Sequence, residues 1–258
     1  MEMSQSAANE VALLKDRIAN LERFINESDG FLDFSQLGEQ KIIINILERI
    51  SAKRQFDQTY LDIGGFHPYF GSNTFRLYQR FGWRGVIVEP NPLKLKEWSA
   101  IRPRDVTVCA AVIPDTWSMP LITMVGHGEG DARESVIASI NTKSRQETEA
   151  GLSKYDATTI RFIDLVVKCK ELQLFPSFMN LDIEGLEEEV VINSRIAEHE
   201  IPLLCIEHFL NEFTGEMSLL AYQNSELVKY LEGNGYYLVS VCGISLVFCH
   251  KEYWVPYG

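Results

Sequence analysis

An α/β fold with a mostly parallel central sheet is what this sequence predicts, on three observations. Short apolar runs recur along the chain, stretches of helical spacing separate them, and a last pair of apolar runs is joined by a tight turn. The runs lie at residues 60–63, 86–89, 106–112, 178–181 and 203–207, and five such runs alternating with helices imply a parallel sheet. Helices are expected at 74–81, 93–98, 159–172 and 186–196, covering both faces of that sheet. The closing pair, 236–241 and 245–249, is linked through Cys242 and Gly243 and predicts a hairpin that adds antiparallel edge strands.

Ahead of this core the sequence predicts two helices. Val11, Leu14, Ile18, Leu21 and Ile25 step by threes and fours with charged residues between them, a short heptad pattern that makes residues 1–30 a separate segment. About two heptads are marginal as an isolated coiled coil. The stripe therefore either pairs with a second copy, giving a homo-oligomer, or packs back on the main domain of residues 31–258. Asp29-Gly30 ends it. The second helix runs through Ile43, Leu47 and Ile50, with Asp33 or Ser35 as caps and Arg54 near its end.

Residues 114–155 fit no simple element. Gly126, Gly128 and Gly130 stand among acids, serines and threonines without a long periodic run, and an excursion of this length in a compact domain is either a lid over substrate or a disordered segment.

Charge and composition narrow the function. A net charge of −12 and a pI near 4.9 leave no attraction for phosphate backbones, so no nucleic-acid partner is expected. The five cysteines form an odd set without a C-x-x-C pair and read as buried free thiols. Glu2, Glu10, Lys15 and Asp16 interrupt any signal-peptide core, and no long uncharged apolar run supplies a transmembrane segment. A reducing cytoplasm is the expected setting.

Four segments place polar residues where strands should end. The first is Asp62-Ile63-Gly64-Gly65-Phe66-His67-Pro68, followed by Ser72-Asn73-Thr74 opening a helix; glycine admits a ligand to the backbone, although a plain strand-to-helix turn reads the same way. Asp62 either meets a ligand's ammonium or orients this turn. The second is Glu89-Pro90, where an acid after the second strand is placed to bind ribose hydroxyls, a device that does not by itself separate NAD from S-adenosylmethionine. The missing third glycine of G-x-G-x-x-G and the absence of a Walker lysine count against dinucleotide and P-loop readings. The third is Asp182-Ile183-Glu184-Gly185-Leu186-Glu187, which serves either a ligand at a strand end or a helix cap through Asp182. The fourth is Cys205-Ile206-Glu207-His208.

The order of these segments, with Trp83-Arg84-Gly85 before Glu89 and Cys109-Ala110-Ala111 after it, resembles the FkbM family of methyltransferases over residues 59–209. The D-x-E-G-x-E run is the most specific part. Phe66 and Pro68 stand where many members have asparagine and glycine, and His67 with Ser72-Asn73-Thr74 is similar to a branch with that altered loop. The resemblance implies a class I, Rossmann-like methyltransferase that binds S-adenosylmethionine and methylates a hydroxyl of a sugar, glycan or related product. It places Asp62, Gly64 and Gly65 at the methionine part, Glu89 at the ribose, and Ala110 and Ala111 beside the adenine, with Phe66, His67, Ser72, Asn73, Thr74, Pro90 and Asp182 also among the cofactor-binding residues. Asp182, Glu184, Glu207 and His208 are the candidates for removing the acceptor's proton. A similarity to metal-dependent class I O-methyltransferases implies a divalent ion, manganese or magnesium, on Asp182, Glu207 and His208; a metal-free base at His208 or Glu184 is the alternative. A methyltransferase-like scaffold without catalysis is the competing function.

Overall fold

The computed structural model describes residues 32–127, 139–140, 152–208 and 219–256, and its contacts group Phe34–Gly258 into one unit. The expected heptad helix and the boundary at residue 30 lie outside the described residues.

Seven strands form the central sheet in the order β3-β2-β1-β8-β9-β11-β10. They are β1 (Thr59–Ile63), β2 (Arg84–Val88), β3 (Val106–Val108), β8 (Phe178–Leu181), β9 (Leu203–Glu207), β10 (Tyr236–Cys242) and β11 (Ser245–His250). Neighbours from β3 to β9 are parallel, and β11 is antiparallel to both β9 and β10. The strand order reverses at β1, whose two neighbours are β2 and β8, so the crevice between the ends of β1 and β8 is the switch point where ligands of open α/β sheets gather.

Two apolar layers hold the sheet, and alternation along each strand decides which residue joins which layer. Leu61, Ile63, Met179, Leu181, Leu204 and Ile206 face α4 (Phe162–Glu171), α5 (Glu187–Asn193) and α6 (Glu226–Gly233). Tyr60, Phe178, Leu203 and Cys205 face α1 (Glu39–Ser51), α2 (Phe75–Phe81) and Trp98 of α3 (Pro92–Ile101). The α1 stripe of Ile43, Ile46, Leu47 and Ile50 is at most 3% exposed, which is why this short helix is stable against the sheet.

A second sheet, of order β4-β7-β5-β6, is built from β4 (Ala111–Ile113), β5 (Leu121–His127), β6 (Ser139–Ile140) and β7 (Leu152–Arg161). Four expectations are corrected here. The run 106–112 is two strands in two sheets, because the chain leaves the central sheet at Cys109-Ala110. The 114–155 excursion carries strands, with β5 and β7 paired antiparallel from Leu121↔Thr158 to His127↔Leu152. Residues 159–161 end β7, and helix begins only at Phe162. The closing antiparallel hairpin forms as expected, with β11 between β9 and β10 and its residues Leu246 to Cys249 buried on both faces, so that β10 alone lies at the edge. At the start of α1, Gly38 is the cap residue rather than Asp33 or Ser35, although the Ser35 hydroxyl does accept the Gln40 N–H at 3.2 Å. Four of the five cysteines are buried, as expected, and Cys109 is exposed. Among the described residues no helix is long and apolar enough to cross a membrane.

Candidate functional site

The turn after β1 is locked from two sides. Gly64 and Gly65 donate their N–H groups to the Val88 carbonyl at 2.9 and 3.2 Å, and Asp182 donates its own to the Ile63 carbonyl at 3.0 Å, which ties the ends of β1, β2 and β8 together. Gly64 has φ +84°, and a Cβ there would meet the Asp182 backbone carbonyl, so only glycine fits.

Beneath the turn lies a buried polar layer that sequence reasoning reached only in part. Asp62 is 2% exposed and faces this layer, accepting from Thr74 Oγ1 at 2.5 Å and Asn180 Nδ2 at 3.0 Å. Burial pushes its carboxyl upward in pKa, against those two donors and the nearby Arg102 charge. Arg102, 1% exposed, donates to Asp105 Oδ2 (2.8 Å), Tyr60 Oη (2.5 Å), Thr74 Oγ1 (3.1 Å) and the Pro68 carbonyl (3.2 Å), and lies 4.4 Å over the Trp98 ring. Asp62, Ser72 and Thr74 therefore position the turn: Ser72 Oγ accepts from the N–H of Phe75 at the head of α2, and Asn73 holds Asn180 Oδ1 at 2.9 Å. Gly65 likewise turns inward, its carbonyl taking the Trp98 indole N–H at 2.6 Å.

Above that layer is a cavity of about 410 Å³ at the carboxyl ends of β1, β2 and β8. Gly64, Phe66, His67, Glu89, Pro90, Ala110, Ala111 and Asp182 all line it; Asp62, Gly65, Ser72, Asn73 and Thr74, expected with them, do not. The side chains of Asp62, Ser72 and Thr74 turn into the polar layer beneath the turn, and Asn73 lines a small recess beside Asp182 and Glu207. His67 Nδ1 accepts from the N–H groups of Tyr69 and Phe70 at 3.3 and 3.1 Å, so Nε2, 3.4 Å from Glu97, carries the ring proton when the imidazole is neutral. Glu89 is 3% exposed; its Oε1 accepts the Asn91 N–H at 2.8 Å and stands 4.0 Å from Lys94 Nζ. Burial raises the Glu89 pKa, with Lys94 and Asn91 opposing. Met124 of the second sheet lines the cavity with Ala111 and Val112, so the excursion contributes a residue to its wall.

The acids after β8 and β9 converge beside this cavity: Asp182 and Glu184 line it, and Glu207 lines the small adjoining recess together with Asp182. Carboxylate oxygens of Asp182, Glu184 and Glu207 lie within 4.8 Å of one another. Glu184 adopts φ +58°, a conformation that costs a non-glycine residue and clusters at functional sites. The turn is held by Glu187, whose buried carboxylate accepts the N–H groups of Ile183 (2.8 Å) and Gly185 (3.0 Å). The cap residue of α5 is Leu186, without a side-chain cap bond, so the expected cap by Asp182 is not formed. Lost hydration and the Glu207 charge raise the Asp182 pKa well above the usual carboxylate range; Glu207 is pushed up to about 7, chiefly by burial. Glu207 Oε2 is buried without a hydrogen-bond partner. Such a trio retains a proton or accepts a cation.

His208 does not belong to it. Glu207 shares the α1 face with Leu203 and Cys205, so the next residue points to the opposite face, where His208 Nε2 lies 3.6 Å from Glu188 Oε2 and the ring 6.3 Å from that of Tyr222. The expected set Asp182, Glu207 and His208 is corrected to Asp182, Glu184 and Glu207.

No family model matches this chain, and neither a curated protein nor a solved structure matches it significantly.

Three contributors lay outside the sequence reading. Arg102 and Asp105 sit in Arg102-Pro103-Arg104-Asp105 with no motif around them. Lys94, by contrast, left a trace: it is a lysine in the first turn of a helix, where the helix dipole disfavours cations.

Proposed function

We propose that this chain is an S-adenosylmethionine-dependent O-methyltransferase of the FkbM kind that its sequence resembles, acting on a hydroxyl of a sugar, glycan or related product. The observation that carries the reading is the cavity at the switch point, which brings the bare turn at Gly64, the buried acid Glu89, the small residues Ala110 and Ala111 and the rim acid Asp182 into one wall. Gly64 admits a ligand to the backbone, Glu89 accepts ribose hydroxyls, and Ala110, Ala111 and Met124 offer an apolar surface for a flat base. S-adenosylmethionine supplies an electrophilic methyl group, so the protein's work is to align the acceptor oxygen and take its proton. Glu207, pushed up to about 7, and Asp182, raised well above the usual carboxylate range, suit that role. Their oxygen-only set with Glu184 fits magnesium or manganese, which would lower the acceptor hydroxyl's pKa.

The sheet supports a methyltransferase over a dehydrogenase. In the dinucleotide-binding order 3-2-1-4-5-6 the strand next to the fifth continues the parallel sheet, whereas here antiparallel β11 occupies that place.

Calorimetry tests the proposal. Saturable binding of S-adenosylmethionine or S-adenosylhomocysteine without NAD binding is expected, and Glu89→Ala should weaken it by about 10–100-fold, the scale of a hydrogen bond to a charged group. Binding of NAD alone would replace the assignment; binding of neither would leave a noncatalytic scaffold.

A further inference from the structure

Lys94 is a buried cation in the wall of the cavity. Its side chain is 5% exposed, yet its ammonium donates no hydrogen bond among the described residues. The carboxylate oxygen paired with it, Glu89 Oε1, is 4.0 Å away and already accepts the Asn91 N–H, and the face of Phe66 lies 4.2 Å from the nitrogen. A buried ammonium in this state forfeits hydration without gaining a donor contact in return. Its position adds to the cost. Asn91 caps α3 by accepting the Leu93 N–H at 2.9 Å, Pro92 opens the helix, and Lys94 follows in the first turn, at the positive end of the helix dipole. Burial lowers the Lys94 pKa against the charges of Glu89, Glu184 and Asp182, and both Lys94 and Glu89 line the same cavity.

We infer that Glu89 and Lys94 form a two-point clamp for a vicinal diol. One hydroxyl donates its proton to the Glu89 carboxylate, and Lys94 donates to the oxygen of the adjacent hydroxyl. The gap between the two groups is too wide for a direct hydrogen bond and of the width that neighbouring hydroxyls bridge. The inference rests on the methyltransferase reading, which puts the diol on the ribose of the cofactor, and it makes Lys94 a specificity-determining residue for a nucleoside over its deoxy forms.

The experiment is calorimetric titration of the full chain and of Lys94→Met with S-adenosylhomocysteine, adenosine, 2′-deoxyadenosine, 3′-deoxyadenosine and a methyl hexopyranoside. Methionine fills similar space and accepts the Phe66 ring, so folding is preserved, and a thermal melt of each protein verifies it. The clamp requires that Lys94→Met weaken adenosine and S-adenosylhomocysteine by about 10–100-fold. It also requires that one deoxy form bind the unaltered protein as weakly as adenosine binds the variant, with no further loss when the two changes are combined. Equal affinities in both proteins, or losses that add, overturn it. Adenosine binding that depends on Lys94 without any binding of S-adenosylhomocysteine keeps the clamp and sinks the methyltransferase reading. A Lys94-dependent response to the hexopyranoside alone overturns the ribose assignment, and no binding of any probe overturns both.

Discussion

A Cβ added to Gly64 would stand 1.6 Å from the backbone carbonyl oxygen of Asp182. The turn after β1 and the start of the acidic loop after β8 are therefore in direct backbone contact, and the cavity wall and the carboxylate trio share one rigid joint. Gly64→Ala should cost about 2–5 kcal/mol, combining the left-handed backbone penalty with overpacking against a carbonyl that cannot retreat. Gly82→Ala is the control: it shares a positive φ, of 73°, but opens onto free space, so only the backbone term of about 1–2 kcal/mol applies. Urea denaturation of both variants measures the difference, and equal costs would mean that the joint yields.

The Arg102 network predicts a second asymmetry. Arg102→Met strands the fully buried Asp105 with only Tyr60 and the Gly85 N–H as donors, which should destabilise the protein by about 3–5 kcal/mol. Arg102→Met combined with Asp105→Leu should cost clearly less than the two single changes summed, because no charge is then left unpaired. Additive losses in chemical denaturation would show that the ion pair is not the unit that holds the turn.

How far the site was legible depended on which side of each strand a residue took. Apolar runs closing on Asp62, Glu89, Asp182 and Glu207 marked strand ends, because four or five buried residues in a row are expected only inside a parallel sheet. The face assignment was not marked. His208 follows Glu207 directly, and the assumption that adjacent residues share a site fails at a strand end, where successive side chains point oppositely. Asp62 reads as a ligand contact in sequence, yet Thr74 and Asn180, 12 and 118 residues away, claim both its oxygens. The second sheet escaped because β5 exposes Leu121 at 52% beside buried Ile122 and Met124, which blurs the two-residue alternation, and β7 carries Lys154, Asp156 and Arg161 along its length.

Glu207 sets a pH dependence of stability. Its pKa rises from 4.5 in the unfolded chain to about 7 in the folded one, so the folded state holds the proton more tightly. Its stabilising effect is complete below pH 4.5 and is lost as the pH rises through 7, at a cost on the order of 3 kcal/mol. Glu207→Gln removes the charge while keeping an acceptor for Asp182. The variant should melt above the unaltered protein at pH 8 with chelator present and lose that advantage at pH 4.5. Parallel melting curves across this range would show that the trio's repulsion is relieved elsewhere.

The final prediction separates the two possible ligand sets. If a cation is held by oxygens alone, magnesium or manganese should raise the melting temperature at pH 8 in the unaltered protein and in His208→Ala, but not in Glu184→Gln. His208 lies on the α5 side beside Glu188 and Tyr222, so its loss removes packing without touching the trio. Glu184 reaches the trio only through its left-handed backbone, which the Glu187 carboxylate maintains by holding the N–H groups of Ile183 and Gly185. Glu187→Ala should therefore weaken the cation response, although Glu187 contributes no ligand atom, while Glu188→Ala leaves it unchanged. A response that survives Glu184→Gln and vanishes with His208→Ala would restore the histidine set and require the β9 end to rotate from the arrangement described. No response in the unaltered protein would leave the trio holding a proton, with Asp182 and Glu207 as the acid–base pair.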